Sequence, residues 1–277
     1  MSRHRFIVDI ESDGEVPENI DLTESRQIHQ IRKVLRLSTG DRLDLIDGRG
    51  MLFTCSIESI EKTCVKLKVL ETATEPPPQR PAVHMICAMI KNDKFELIVQ
   101  KLTELGVDRI TPVHCRRSVV NMAPDQPESE FKDSNKYQRW LSIRNEATEQ
   151  SERFRPPRID SPENLEHFLM HLAEEDRAME KDENRLIRAL SFICDAREVA
   201  PPLVEQICRE KSINASRTIP LSHIRIVIGP EGGFTQSEID MASAAGFTPC
   251  NLGLTILRSE TAAIAAATIA TSFGDFL

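Results

Sequence analysis

Two short segments near the C-terminus combine glycines with charged side chains, a composition typical of ligand-binding turns. The first spans Gly229 to Gly233 (G-P-E-G-G), and the second runs from Leu252 to Ala262 and includes Arg258 and Glu260. Each follows an apolar run typical of a strand and precedes a helical pattern. Because glycine lets a backbone approach a ligand closely, two such turns side by side can form a pocket largely from backbone groups.

A phosphate group fits these turns poorly. Backbone amides at the start of a helix bind anions well, but the first segment lacks the Lys-Ser/Thr pair of triphosphate loops and does not match G-x-G-x-x-G. It also places the carboxylate of Glu231 inside the turn, where it would repel a pyrophosphate. The residues therefore favour a nucleoside that carries a sulfonium and an amino acid, with its purine among Leu252, Ile256 and Leu257. The alternative is a pair of ordinary helix-capping turns.

Length, composition and charge limit the possible classes of protein. The chain has 277 residues, of which 40% are hydrophobic and 28% charged, so we expect one or two globular domains. The net charge of −8 argues against a protein that coats nucleic acid non-specifically. The basic residues between Arg26 and Arg49 nevertheless predict a local basic surface.

Targeting and metal signals are missing from the sequence. No apolar run follows the basic residues at the N-terminus, and the weakly polar run at 261–273 is too short to span a bilayer. The seven cysteines are scattered and form no C-x-x-C pair. We therefore expect a cytoplasmic protein with reduced thiols, no bound metal and no membrane segment.

Strands and helices must position the two turns. The sequence pattern divides the chain into two parts, and both turns lie in the second. Residues 1–74 show short alternating runs that predict a small β-barrel, interrupted by one helix with Ile28, Ile31, Val34 and Leu35 at helical spacing. Thr23 or Ser25 is the predicted cap of that helix. Residues 75–81 form a proline-rich linker, because prolines at this density favour extended backbone.

Residues 82–277 alternate between strand and helix patterns, which predicts an α/β domain with a parallel sheet. Thr235 and Glu238 form a T-x-x-E capping box after the first glycine turn. The ligand crevice of such a sheet lies at the carboxyl ends of its strands, where both turns are expected. The charged stretch 163–188 is interpreted as a solvated helix or excursion without chemistry.

Several motifs resemble the RsmE family of 16S ribosomal RNA (uracil-N3)-methyltransferases, which belong to the SPOUT class. They are I-G-P-E-G-G-F-T-x-x-E at 228–238, L-G-x-x-I-L-R-x-E-T-A at 252–262, K-L-T-E-L-G-V at 101–107, E-Q-S-E-R at 149–153, and His29 with V-L-R at 34–36. The likeness covers nearly the whole chain in order. In one departure, Glu152 stands where the family usually has glycine.

The resemblance implies a PUA-like barrel, a parallel-sheet domain with a C-terminal trefoil knot, and a homodimer. It implies methyl transfer from S-adenosylmethionine to uridine N3 in ribosomal RNA of the small subunit. The cofactor would be bound by residues of both turns, namely Ile228, Gly229, Pro230, Glu231, Gly232, Gly233, Leu252, Gly253, Ile256, Leu257, Arg258, Thr261 and Ala262.

Charged residues are the candidates for catalysis. Arg258, and after it Arg153, can stabilise a developing uridinate, and Glu231 or Glu260 can take the N3 proton. Glu260 can instead serve only the positive end of its helix, and Arg258 can simply pair with a carboxylate. The candidate phosphate contacts of the barrel are Arg32, Lys33, Arg36 and Arg49.

The sequence is also compatible with two other functions. One is ribose 2′-O-methylation by another SPOUT enzyme, which a product nucleoside methylated on its sugar would reveal. The other is a non-catalytic RNA-binding assembly factor, although Arg258 and Glu260 argue against a decayed enzyme. Absence of S-adenosylmethionine binding would favour that function.

Overall fold

The computed structural model describes residues 4–10, 16–120, 128–180, 188–195, 200–214 and 221–273. The chain divides into two compact units. The first comprises Met1–Pro77 and Asn145–Pro156, and the second comprises Pro78–Arg144 and Pro157–Leu277.

The first unit contains a five-stranded sheet in the order β1-β3-β4-β5-β2. Strand β1 is parallel to β3, and the other neighbours are antiparallel. Alternating side chains such as Leu43, Leu45, Val65 and Leu67 are buried in one core. The strands are β1 (Arg5–Ile7), β2 (Asn19–Leu22), β3 (Arg42–Ile46), β4 (Met51–Ile60) and β5 (Val65–Thr74).

The single helix predicted for this unit is an α-helix followed by a π-helix. Helix α1 (Ser25–His29) passes directly into a π-helix at Gln30–Val34. The wider π turn changes the helical phase, so Ile28 and Ile31 are buried while Val34 is 63% exposed. The predicted cap was wrong, because Glu24 occupies the N-cap position and makes no side-chain capping bond.

The second unit is built on a seven-stranded parallel sheet, which confirms the predicted α/β class. Its strand order is β12-β10-β11-β6-β7-β8, and the short β9 also pairs with β7. All carboxyl ends therefore lie at one edge. The strands are β6 (Ala82–Ala88), β7 (Arg109–His114), β8 (Arg158–Ile159), β9 (Glu163–Asn164), β10 (Arg188–Cys194), β11 (Leu221–Ile228) and β12 (Thr248–Cys250).

Helices cover both faces of this sheet. Met85 and Cys87 belong to one core with residues of α2, α6 and α8, whereas Ile86 belongs to a second core with residues of α5 and α7. This alternation is the two-residue period of a strand that is buried on both faces. The helices are α2 (Asn92–Glu104), α3 (Glu128–Lys132), α4 (Asn135–Gln150), α5 (Leu165–Glu180), α6 (Leu203–Asn214), α7 (Gln236–Ala244) and α8 (Ser259–Thr271).

Helix α5 corrects the interpretation of the charged stretch. Its first half carries four buried apolar residues, Leu165, Phe168, Leu169 and Leu172, that pack into the second core. In its second half, Asp176 accepts two hydrogen bonds from the buried Arg225 on β11, at 2.5 and 2.8 Å. The helix is therefore a structural layer of the sheet, and residues 181–187 of the stretch lie outside the described residues.

Helix α4 begins in the second unit, and its last residues belong to the first. Trp140 is fully buried in the core that contains α2, as its position in the predicted helical pattern indicated. None of the helices in the described parts of the chain has the length and hydropathy that a membrane crossing needs.

Candidate active site

A pocket of about 220 Å3 opens at the carboxyl ends of β10, β11 and β12. Both glycine turns contribute to it, so the sequence correctly placed them at one edge of the sheet. The lining residues are Cys194, Asp195, Ile228, Gly229, Pro230, Glu231, Gly233, Phe234, Asn251, Leu252, Gly253, Thr255, Ile256, Leu257, Ser259 and Ala262.

The first turn connects β11 to α7 and is closed by its own hydrogen bonds. The amide of Gly233 donates to the carbonyl of Pro230 at 2.8 Å, and Gly233 has a left-handed φ of 68° that suits glycine. The predicted capping box is confirmed, since Thr235 and Glu238 exchange both of its hydrogen bonds. The helix start therefore fixes the C-terminal end of the turn.

Arg117, which the sequence interpretation missed, holds the same turn from outside. Its Nη1 donates to the carbonyl of Phe234 at 2.9 Å and to that of Gly232 at 3.4 Å. A Cβ at Gly232 would lie 2.9 Å from the Cβ of Arg117 and 3.1 Å from its carbonyl oxygen. Gly232 is thus required by packing against the chain after β7.

The second turn connects β12 to α8 and exposes its apolar tip. Oδ1 of Asn251 accepts from the amide of Gly253 at 3.0 Å, and Gly253 has a φ of 125°. Leu254 and Ile256 are 108% and 83% exposed, which is unusual for large apolar side chains outside an interface or ligand site.

The end of β10 supplies a third part of the pocket. Asp195 follows the strand directly, is buried, and its amide donates to the carbonyl of Cys250 at 3.0 Å. Beside it, Sγ of Cys194 lies 3.4 Å from Sγ of Cys250 on the neighbouring strand. The hydrogen bond to Cys250 and burial raise the pKa of the Cys194 thiol well above its usual value, so Cys194 is protonated at neutral pH. A polar residue after a buried strand was the sequence signal for Asp195.

The predicted cofactor residues divide into two groups. Gly232, Arg258 and Thr261 do not line the pocket, whereas the other predicted residues of the two turns do. The lining residues that the prediction omitted are Cys194, Asp195, Phe234, Asn251, Thr255 and Ser259.

Charged side chains meet around Glu231, which lines the pocket. Nζ of Lys94, in the first turn of α2, lies 2.9 Å from Oε1 of Glu231 and 3.7 Å from Oε1 of Glu260. Arg258 is exposed at the N-cap of α8 and forms no salt bridge within the described ranges. The sequence left open that Arg258 pairs with Glu231 or Glu260. In the structure, Lys94 pairs with these carboxylates instead. Lys94 was missed because a lysine near a helix start carries no distinctive local signal.

The pKa shifts of this group follow from the pairing. The hydrogen bond to Glu231 raises the pKa of Lys94. Partial burial would raise the pKa of Glu231, but the hydrogen bonds from Lys94 and from the backbone lower it overall. Both groups are consequently charged at neutral pH.

The remaining predicted residues belong to the first unit. Arg5 donates to the carbonyls of Glu152 and Arg153, the latter at 3.2 Å, and Glu152 has a left-handed φ of 57°. This conformation explains why glycine suits position 152. The carbonyl of Arg153 is held by Arg5 in a turn of the first unit. The pocket is in the second unit.

The candidate RNA contacts are in two environments. Arg32, Lys33 and Arg36 are exposed on and just after the π-helix, and no ion pair engages them within the described residues. Arg36 has a left-handed φ of 54°, a conformation that costs free energy for a residue with a side chain. Arg49 instead pairs with Asp9 at 3.1 Å. No cluster of side chains suited to hold a metal ion occurs in the described parts of the chain.

Comparison with known proteins adds an independent line of support. A family model described as an RNA methyltransferase domain matches residues 77–271, and one described as an RNA methyltransferase PUA domain matches residues 22–70. The ribosomal RNA small subunit methyltransferase E of Rickettsia conorii is 30% identical over 251 residues, which cover 89% of this chain and 87% of that protein. The Bacillus subtilis protein of the same name is 29% identical, over 85% and 83% of the two chains.

A solved structure shows the same fold with a ligand. The crystal structure of a ribosomal RNA small subunit methyltransferase E from Neisseria gonorrhoeae, bound to S-adenosylmethionine, has a TM-score of 0.75 to this chain. The two chains are 26% identical, and the likeness covers 100% of each.

Proposed function

Because this chain belongs to the RNA methyltransferase family, and within it to the ribosomal RNA small subunit methyltransferase E proteins, we propose that it methylates N3 of a specific uridine in 16S ribosomal RNA. The methyl donor is S-adenosylmethionine. The observation that carries this function is the pocket that the two glycine turns form, in which the lining residue Glu231 is linked through Lys94 to Glu260.

The residues present fit the proposed cofactor. Apolar side chains of Leu252, Ile256 and Leu257 can enclose a purine, and the backbone groups of both turns can hydrogen-bond its edge. Asp195 at the end of β10 can accept hydrogen bonds from a ribose hydroxyl or an ammonium group. When bound, S-adenosylmethionine supplies an electrophilic methyl group on a positively charged sulfur. Glu231 in the turn is compatible with this cationic ligand and unfavourable for a phosphate.

The chemistry at the uridine requires a proton acceptor and a positive charge. N3 of uridine carries a proton and has no available lone pair, so the proton must leave as the methyl group arrives. Arg258 is exposed beside the pocket and can stabilise negative charge that develops on O2 or O4. Arg153 is the second candidate for that role, and Glu231 and Glu260 are the candidate bases.

RNA binding is assigned to the first unit. Arg32, Lys33 and Arg36 are the proposed phosphate contacts, because they are exposed, clustered and not engaged in ion pairs within the described residues. Arg49 is the weakest member of the predicted set, since it already pairs with Asp9 at 3.1 Å. Phosphate contacts of this kind position the RNA but do not read its sequence.

We further propose the domain division and the assembly that the sequence predicted. Residues 1–74 are the RNA-binding domain, 75–81 the linker, and 82–277 the methyltransferase domain with a knotted C-terminal chain. The exposed apolar tip at Leu254 and Ile256 favours a homodimer, because a second copy would remove it from water. The site of action is the cytoplasm, where ribosomal subunits are assembled.

Mass spectrometry of ribosomal RNA nucleosides tests the reaction directly. Cells that lack the gene should lose one 3-methyluridine from the small subunit, and the purified protein with S-adenosylmethionine should restore it. A product methylated on the ribose would overturn the N3 assignment in favour of 2′-O-methylation. Retention of the full 3-methyluridine content without the gene would overturn the proposed function.

A further inference from the structure

Lys94 connects the cofactor turn to the start of α8. It is the third residue of α2, where the positive end of the helix dipole disfavours a cation. Its side chain is 26% exposed, and its Nζ bridges two carboxylates from different elements, Glu231 after β11 and Glu260 in the first turn of α8. A lysine in this unfavourable position is explained by the two contacts it makes.

The two carboxylates are in different environments. Glu231 is 37% exposed and its Oε1 accepts a 2.9 Å hydrogen bond from Lys94. Glu260 is only 12% exposed, and its Oε1 lies 3.7 Å from Nζ, beyond hydrogen-bond distance. Its Oε2 is buried and has no hydrogen-bond partner within the described residues. Glu260 therefore has an oxygen with unused acceptor capacity, and it directly follows Ser259, which lines the pocket.

We propose that Oε2 of Glu260 accepts the N3 proton of the uridine, and that Lys94 positions Glu260 while fixing Glu231 to the cofactor turn. This assignment rests on the proposed N3 methylation. In the transfer, the uridine N3–H bond breaks and its proton passes to Oε2 of Glu260. The N3 electron pair forms the bond to the methyl carbon, and the sulfur–carbon bond breaks, leaving neutral S-adenosylhomocysteine.

Glu231 is the less suitable base for a physical reason. Its pKa is lowered by the contacts that hold it, so protonating it would cost the hydrogen bond to Lys94. A buried acceptor without a partner gains a hydrogen bond when it takes a proton from a substrate. Glu231 thus anchors the turn, and Glu260 is left to accept the proton.

The test measures cofactor binding and chemistry separately. Equilibrium binding of S-adenosylmethionine is measured by calorimetry, and single-turnover methylation of small ribosomal subunits is followed from pH 6 to 10. For Glu260→Gln we expect unchanged cofactor affinity and a rate constant lower by about 100-fold or more, the contribution of a general base. The residual rate should increase with pH up to the ionisation of uridine itself.

Variants of the pairing residues should behave differently. Glu231→Gln and Lys94→Met should weaken cofactor binding by a few-fold, about the strength of a partly exposed ion pair. Lys94→Met should also lower the saturated single-turnover rate, and Lys94→Arg should restore much of both. Lys101→Met is the matched control, because Lys101 is on the same helix and pairs with Glu104 three residues away. Its binding and rate should equal those of the unmodified protein.

Two outcomes would overturn the proposal. One is a Glu260→Gln protein with a normal rate and a normal pH profile. The other is a Glu231→Gln protein that binds the cofactor normally and loses methylation. Failure of the proposed function is distinguishable, since the unmodified protein would then yield no 3-methyluridine in the same assay. Circular dichroism of each variant identifies misfolding, and Glu260→Asp, which keeps a carboxylate, should retain partial activity if the fold persists.

Discussion

The amide of Ile7 on β1 donates a 3.0 Å hydrogen bond to Oε1 of Glu149 in the last turn of α4. Both residues belong to the first unit, and the bond ties its N-terminal strand to the segment that leads to Arg153. Burial raises the pKa of Glu149 to about 7, although this hydrogen bond acts in the opposite direction. Ionised Glu149 therefore destabilises the folded state.

This relationship predicts an unusual dependence of stability on pH. A carboxyl group whose folded pKa is raised contributes stability below its unfolded pKa near 4.5, and that stability is lost as pH rises through about 7. Glu149→Gln keeps the acceptor for Ile7 without the charge. We expect the variant to gain up to about 3 kcal/mol relative to the unmodified protein between pH 5 and pH 8.

Urea unfolding at several pH values measures this difference. Glu58→Gln, at an exposed position of β4 in the same unit, is the control and should show little change. A difference between Glu149→Gln and the unmodified protein that does not vary with pH would refute the assignment of a raised pKa.

Position 152 allows a second test in the same turn. Glu152 has a φ of 57°, which a residue with a Cβ adopts at a cost of about 1 kcal/mol relative to glycine. Glu152→Gly should therefore be more stable than Glu152→Ala by about that amount. Comparing these two variants removes the contribution of the glutamate side chain. Equal midpoints of unfolding would show that the left-handed conformation is not what favours glycine here.

A side chain at Gly232 should disturb the cofactor turn, although Gly232 does not line the pocket. A methyl group at this position would meet the backbone of Arg117, which cannot rotate away as a side chain can. Gly232→Ala should displace the turn and weaken S-adenosylmethionine binding by about ten-fold, since an overpacked contact costs about 1–3 kcal/mol. Ser237→Ala, exposed on α7, is the control for titration calorimetry. Unchanged affinity in Gly232→Ala would mean that the turn can adapt.

The sequence correctly predicted those parts of the fold that depend on residues close together in the chain. Thr235 and Glu238 are close in sequence and form a capping box, which their spacing predicted. Helical and strand periods likewise placed both glycine turns at strand ends. Lys94 and Glu231 are 137 residues apart, so only the packing of α2 beside the turn brings them together. The π-helix was missed because intrinsic spacing does not report an i→i+5 hydrogen bond.

The basic surface of the first unit gives a prediction about RNA affinity. Each phosphate contact releases condensed counterions, so loss of one should reduce the salt dependence of binding by about 0.7 to 0.9 in the log–log slope. We expect this change for Arg32→Gln, Lys33→Gln and Arg36→Gln, because no ion pair engages these side chains within the described residues. Arg49→Gln should have a smaller effect, since Asp9 already pairs with Arg49 at 3.1 Å.

Binding of small ribosomal subunits between 50 and 200 mM salt measures these slopes. The triple variant of Arg32, Lys33 and Arg36 should reduce the slope by about 2 to 3, the sum of three phosphate contacts. Its affinity for S-adenosylmethionine should stay the same, because the cofactor pocket is in the second unit. Arg36→Gly is informative separately, since it removes the charge and also relieves the left-handed conformation at φ 54°. It should therefore bind RNA more weakly and yet unfold at higher urea concentration. A slope that is unchanged in the triple variant would place the phosphate contacts on another surface of the protein.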